Sequence, residues 1–213
     1  MVKPAEARVG SGDEEQSPVA AGFSRASLLK GSLAVLGAIG GTAVGAAELA
    51  AAPGSGGSAA TDQAILTFGL LIERLQAAFY AAALRGGQLT GEVRQFAQVV
   101  GAAEQEHVNY LVGALGSSAG KSPSFRFGDA ATDPKKFIAT AISLEEAGLG
   151  VYNGQAVNLT PTTLAAAARI VSVEARHAAW ARALAGKDPA PVAVDVPITV
   201  SQAKQTFQPF IVA

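Results

Sequence analysis

Residues 104–107 read Glu104-Gln105-Glu106-His107, and residues 174–177 repeat the outline as Glu174-Ala175-Arg176-His177; these two units hold both histidines of the chain. Residues three apart on a helix share one face, so each unit aims a carboxylate and an imidazole at one place. Upstream stand Glu73 and Glu145, 31 and 29 residues before the glutamates of the two units. Two copies of Glu followed by Glu-x-x-His make six nitrogen and oxygen donors, a ligand set for two metal ions.

The surrounding sequence predicts that all six sit on helices and face inward. A first helix is expected from about Asp62 to Leu84, ending at Gly86-Gly87, with Leu66, Leu70, Glu73, Ala77, Tyr80 and Leu84 on one stripe. Alternating spacings of four and three are the seam of a packed helix. A second, from about Gly91 to Leu115, carries Val93, Ala97, Val100, Glu104, His107, Leu111 and Ala114 and stops at Gly116. After a long connection containing Pro123 and Asp133-Pro134, a third carries Ile138, Ile142, Glu145, Leu149, Tyr152 and Ala156. Pro161 opens a fourth with Ala167, Ile170, Glu174, His177, Ala181 and Leu184 in register. The reading is an all-α, four-helix bundle over residues 61–186 with a long crossover between helices 2 and 3.

A lone glutamate on a helix is ordinarily a solvated residue. Four on four core stripes are different, because burying an unpaired carboxylate costs several kcal/mol and neighbouring ones repel. No lysine or arginine falls on these stripes to compensate. Two divalent cations would supply +4 against four carboxylates, with two neutral imidazoles completing the set.

The halves read as a duplication. Aligning Glu73 with Glu145 sets Tyr80 against Tyr152; aligning Glu104 with Glu174 sets Tyr110 against Trp180. The same alignment selects Glu145 over Glu146 and leaves Glu106 and Glu146 as solvent or supporting groups. Tyr80 and Tyr152 lie two turns beyond Glu73 and Glu145, placed to hydrogen-bond the site or to act as redox-active phenols. Tyr110 and Trp180 are expected to pack. Gln76, Gln105 and Arg176 are candidates to support the site from outside.

One Glu on each of two helices with Glu-x-x-His on the other two is the pattern of ferritin-like di-iron and di-manganese bundles, and the chain resembles that superfamily from about Thr61 to Gly186. More narrowly, Leu144-Glu145-Glu146-Ala147-Gly148-Leu149-Gly150-Val151-Tyr152 and the Pro123–Phe137 connection resemble the ferritin-like domain family that includes plant desiccation-related proteins and many exported bacterial proteins. The resemblance implies Glu73 and His107 as terminal ligands of one metal, Glu145 and His177 of the other, with Glu104 and Glu174 bridging. Two iron or manganese ions suit such a carboxylate-rich set better than zinc. The expected chemistry is oxidation of Fe(II), or reduction of O2 or peroxide, in an exported stress-protection role. The alternative is a non-catalytic exported structural or desiccation-related bundle, since family membership does not establish turnover.

The rest of the chain bounds this reading. A net charge of -1 with no basic cluster argues against nucleic acid as the main partner, and the absence of cysteine excludes disulfides, thiolate zinc sites and iron–sulfur clusters. Residues 1–60 read as an export signal or anchor followed by a linker. Ser24-Arg25-Ala26-Ser27-Leu28-Leu29-Lys30 precedes seventeen uncharged residues, Gly31 to Ala47, in the layout of an export signal to the periplasm or the outside. It resembles a twin-arginine signal in which Ala26 replaces the second arginine. A single membrane anchor through residues 31–47 and a disordered cytoplasmic tail are the alternatives; Pro53–Ser58 reads as a flexible linker. Iron storage in a cage is a weaker version of the metal reading, because exposed acidic clusters are few. Residues 187–213, with four prolines, are expected as an extended tail against the bundle through Val192, Val194, Val196, Ile198, Phe207 and Phe210, with a short helix near Ser201–Phe207 capped by Ser201.

Overall fold

The computed structural model describes residues 57–212. The expected export signal, the anchor alternative at 31–47 and the expected linker up to residue 56 lie outside the described residues. Four long helices form a bundle: α1 (Ala59–Gly86), α2 (Gly91–Leu115), α3 (Pro134–Gln155) and α4 (Pro161–Leu184). α1 packs along α2 and α3 along α4, and the two hairpins meet through α1 on α3 and α2 on α4.

Each boundary has a local cause. Ser58 caps α1 by accepting from the Thr61 N–H, and Asp133 caps α3 by accepting from the N–H groups of Lys135 and Lys136, both at 2.9 Å. Pro134 and Pro161 occupy the first turns of α3 and α4, where a missing N–H costs nothing. α1 ends where Gly87 turns to φ 70°, a left-handed conformation open to glycine. α1 is also long and apolar enough to cross a membrane by composition, but here its apolar face lies in the bundle core.

Two apolar clusters fill the interior. One is aromatic: Phe79 stacks on Phe137 at 5.1 Å, and Tyr80, Phe96 and Phe127 pack around them edge-on. The other is smaller and mostly aliphatic, with Leu70, Leu111, Ile170 and the Tyr152 ring. Along every helix, the Glu or Glu-x-x-His positions fall between residues of the first cluster and residues of the second. The bundle therefore holds a polar layer with an apolar plug on either side.

The crossover from α2 to α3 carries a short strand β1 (Ser124–Phe125) that pairs antiparallel with β2 (Ile211–Val212) at the end of the tail. Between α4 and β2 the tail crosses α3, where the Ile198 N–H donates to the Gly150 carbonyl at 2.9 Å. A side chain at Gly154 would collide with the Ile198 backbone. A short helix α5 (Val200–Phe207) follows, and it is capped by Thr199 rather than Ser201, with Gln202 closing a reciprocal capping box. Phe207 is buried and Ile198 and Phe210 half-buried, but Val192, Val194 and Val196 stay exposed, against expectation.

Candidate metal centre

The polar layer brings Glu73, Glu104, His107, Glu145, Glu174 and His177 together, all buried and the four glutamates fully so. α1 contributes Glu73, α2 Glu104 and His107, α3 Glu145, and α4 Glu174 and His177. The i, i+3 spacing does what helix geometry requires: His107 Nδ1 lies 3.3 Å from Glu104 Oε2 in its own unit. It also lies 3.3 Å from Glu73 Oε2 and 3.1 Å from Glu174 Oε1. His177 Nδ1 lies 2.9 Å from Glu104 Oε1, 3.5 Å from Glu145 Oε2 and 3.9 Å from Glu174 Oε1. Glu104 and Glu174 thus face both imidazoles, whereas Glu73 faces only His107 and Glu145 only His177.

Each tyrosine serves the opposite hairpin. Tyr80 on α1 donates to Glu145 Oε1 on α3, and Tyr152 on α3 donates to Glu73 Oε1 on α1, both at 2.5 Å. The hydroxyls occupy one oxygen of Glu73 and of Glu145 and leave the other turned toward the histidine of that set.

The electrostatics show a site short of positive charge. Burial and the charge of Glu145 push the Glu104 carboxyl well above the carboxylate range; burial with the charges of Glu104 and Glu73 does the same to Glu174. Glu73 is buried as deeply, yet its hydrogen bonds with His107, Glu104 and Tyr152 and the charge of His107 outweigh that and lower it. Burial pulls His107 down, but hydrogen bonds to Glu104, Glu174 and Glu73 win and push it up to about 12. Burial, reinforced by the carboxylates, raises both tyrosine hydroxyls well above their ordinary value. Among the described residues, no lysine or arginine pairs with any of the four glutamates.

A metal ion would relieve what the protein leaves unpaired. Glu174 Oε2 and Glu145 Oε2 are buried without a hydrogen-bond partner, and Glu104 Oε1 and His177 Nδ1, though 2.9 Å apart, are not in hydrogen-bonding geometry. Such orphaned groups are rare in native interiors and cost free energy unless something else binds them. Two overlapping sets could hold metal ions: Glu73, Glu104, His107 and Glu174, and Glu104, Glu145, Glu174 and His177; within each set the donors lie within 4.8 Å of one another. The donors are carboxylate and imidazole throughout, which fits first-row divalent metals.

Other candidates fall elsewhere. Gln105 and Arg176 are exposed, and Gln105 bonds Asn109 on its own helix. Glu106 is exposed, and Glu146 pairs with Arg182 of α4. Trp180 packs edge-on against Phe96 at 5.3 Å and donates from Nε1 to Glu92, as a packing residue should, but Tyr110 is exposed. Gln76 alone of the supporting candidates is fully buried, with both amide atoms unpartnered; its position one turn past Glu73 was the available signal. Sequence reasoning missed Asp62, which reaches across from α1 to the start of α4, accepting from the Thr160 N–H at 2.9 Å and from the Thr160 and Thr163 hydroxyls at 2.5 Å.

A search of the curated proteins found no match to the chain. The ferritin-like domain family matches residues 61–187, which take in α2, α3 and α4 whole, α1 but for Ala59 and Ala60, and every member of the polar layer. With that match covering more than half its length, the chain belongs to the ferritin-like domain family.

Proposed function

We propose that the protein is a dinuclear iron or manganese carboxylate protein that oxidises Fe(II) or reduces O2 or peroxide. Glu73 and His107 hold one ion, Glu145 and His177 the other, and Glu104 and Glu174 are shared. The observation that carries this reading is that Glu104 and Glu174 each face both imidazoles while Glu73 and Glu145 each face one. Bound iron would supply the two electrons that, with two protons, take hydrogen peroxide to two waters, two Fe(II) becoming two Fe(III).

The chain's own residues supply the setting. Tyr80 and Tyr152 fix the outer carboxylates by hydrogen bonds, so the free oxygen of each stays turned inward. The apolar clusters above and below the layer keep bulk water away from it. Carboxylates shared between two ions can shift between bridging and terminal modes, which suits a pair that changes oxidation state. Export through the leader and a stress-protective role like that of desiccation-related relatives belong to the same proposal; they rest on Ser24–Ala47 and on the Leu144–Tyr152 segment.

The test is rapid mixing of anaerobically Fe(II)-loaded protein with hydrogen peroxide or O2. Two Fe(II) per chain should be oxidised faster than free Fe(II), and the Glu104→Ala, Glu174→Ala double variant should lose at least tenfold. Equal rates with both proteins would favour the non-catalytic bundle.

A further inference from the structure

Where α3 begins and α4 stops, a groove of about 400 Å3 runs between them. Val93, Ile138, Ile142 and Leu184 line its base, and Lys135 and Lys187 belong to its rim. Spacing on α3 explains the division. Lys135, Ile138 and Ile142 follow one another at three and four residues, so one helix face leads from the exposed first turn to side chains of the core. Ile138 and Ile142 belong to the aromatic cluster, and Val93 and Leu184 pack on it half-buried. The base of the groove is therefore the outer flank of that cluster.

The charge beside it is uncompensated. No carboxylate lines the groove, and among the described residues neither Lys135 nor Lys187 pairs with one, whereas Lys136 pairs with Asp129. Two clefts farther along α3 and α4 differ. In one, Arg182 is already paired with Glu146 and Asp195 adds a negative charge; in the other, Asp195 is the sole charged residue.

An aliphatic base under a positive rim is complementary to an anion on an alkyl chain. The chain takes apolar surface out of water, and the head group meets the lysines. Shape decides between a free molecule and a membrane. Ile138 and Ile142 are sunk to 8% and 6% exposure, and none of the four aliphatic residues of the base protrudes. A bilayer needs apolar side chains that reach into it, whereas a concave groove takes a single chain.

We propose that this groove binds a free long-chain carboxylate, a fatty acid anion, with its chain along Ile138, Ile142, Val93 and Leu184 and its head group at Lys135 and Lys187. The site is separate from the polar layer, where Glu145 turns inward to His177, and it does not depend on metal there.

Titration calorimetry on the full-length protein tests this with laurate below its micelle concentration, decanoate, dodecyltrimethylammonium and phosphatidylglycerol vesicles. One laurate per chain is expected. Decanoate, two methylenes shorter, should bind roughly tenfold more weakly, and so should the cation of laurate's chain length. The Lys135→Gln, Lys187→Gln double variant should lose about tenfold in laurate affinity at low ionic strength, and the difference should shrink as salt is added. Ala139→Trp places an indole in the groove and should lose at least as much. All three substituted positions are exposed, so both variants should melt with the parent; if Ala139→Trp melts low, the lysine variant decides. The proposal is overturned by equal binding of laurate and the cation, by undiminished laurate binding in the lysine variant, or by a parent that binds vesicles or nothing but not laurate.

Discussion

The two hairpins of the bundle carry the same ligand pattern in different surroundings. In each, a glutamate on one helix faces a Glu-x-x-His on the next, and a tyrosine seven residues on reaches across to the other hairpin's outer carboxylate. Yet Tyr80 sits among Phe79, Phe96 and Phe137, while Tyr152 packs with Leu70, Leu111 and Ile170. Gln76 fills the position that Gly148 leaves empty. The chemistry-bearing layer kept the twofold pattern, and the packing around it did not. Polar side chains in an apolar interior have few acceptable arrangements, whereas an apolar plug need only fill its volume.

Substitutions in the plugs should show the largest difference. Phe137→Ala removes a fully buried ring that touches Phe79, Tyr80 and Phe96, and should cost about 3–5 kcal/mol in denaturant unfolding. Leu111→Ala in the smaller cluster should cost about 2–4 kcal/mol. A Leu111→Ala loss clearly greater than that of Phe137→Ala would reverse the ranking of the two ends.

The tyrosines should behave alike despite those ends. Tyr80→Phe and Tyr152→Phe each remove one hydroxyl bond to a buried carboxylate, about 1.5–3 kcal/mol apiece. Matched losses would show that the twofold pattern holds energetically; a loss in one alone would break it.

Metal uptake should depend on pH in a set direction. Glu104 and Glu174 are raised toward their protonated forms and His107 is held as its cation, so binding must displace protons. Affinity should weaken as pH falls, by at least tenfold per pH unit or about 1.4 kcal/mol for each proton released. Titration calorimetry in buffers of different ionisation enthalpy would measure it, and pH-independent affinity would contradict the site's electrostatics.

The smallest expected effect lies outside the layer. Asp62 ties α1 to the start of α4, and Asp62→Ala should cost about 1–2 kcal/mol. Burial raises its carboxyl, but bonds from Thr160 and Thr163 outweigh that and lower it. A group depressed in the folded state stabilises fully above its unfolded value and loses that contribution as pH falls through the folded one. The parent's advantage over Asp62→Ala should therefore be intact at neutral pH and shrink below about pH 4. A difference that persists unchanged at lower pH would remove the carboxylate from this account.

The bundle and its polar layer were legible because periodicity and spacing are local. Glu-x-x-His on an apolar stripe needs only helix geometry to place both side chains, and the duplication separated Glu145 from Glu146 without coordinates. Proline and glycine marked the helix ends for the same reason. What depended on a partner element was not legible. The place of Gln76 one turn past Glu73 sets it on the inward face, but the sequence does not show that its amide lies beside Gly148 and Glu174 on other helices. Val192, Val194 and Val196 are apolar and were expected against the bundle, but they stay exposed, and it is the backbone at Val196 and Ile198 that approaches α3, where Gly150 and Gly154 leave room. Thr199 took the cap from Ser201 because Gln202 stands at the reciprocal position.

Metal stoichiometry tests the central claim most directly. The full-length protein is loaded anaerobically with Fe(II) or Mn(II), freed of unbound ion and analysed for metal beside the Glu104→Ala, Glu174→Ala double variant. The account predicts two ions per chain in the parent and their loss in the variant; no metal above background in the parent, or equal loading of both proteins, would contradict it.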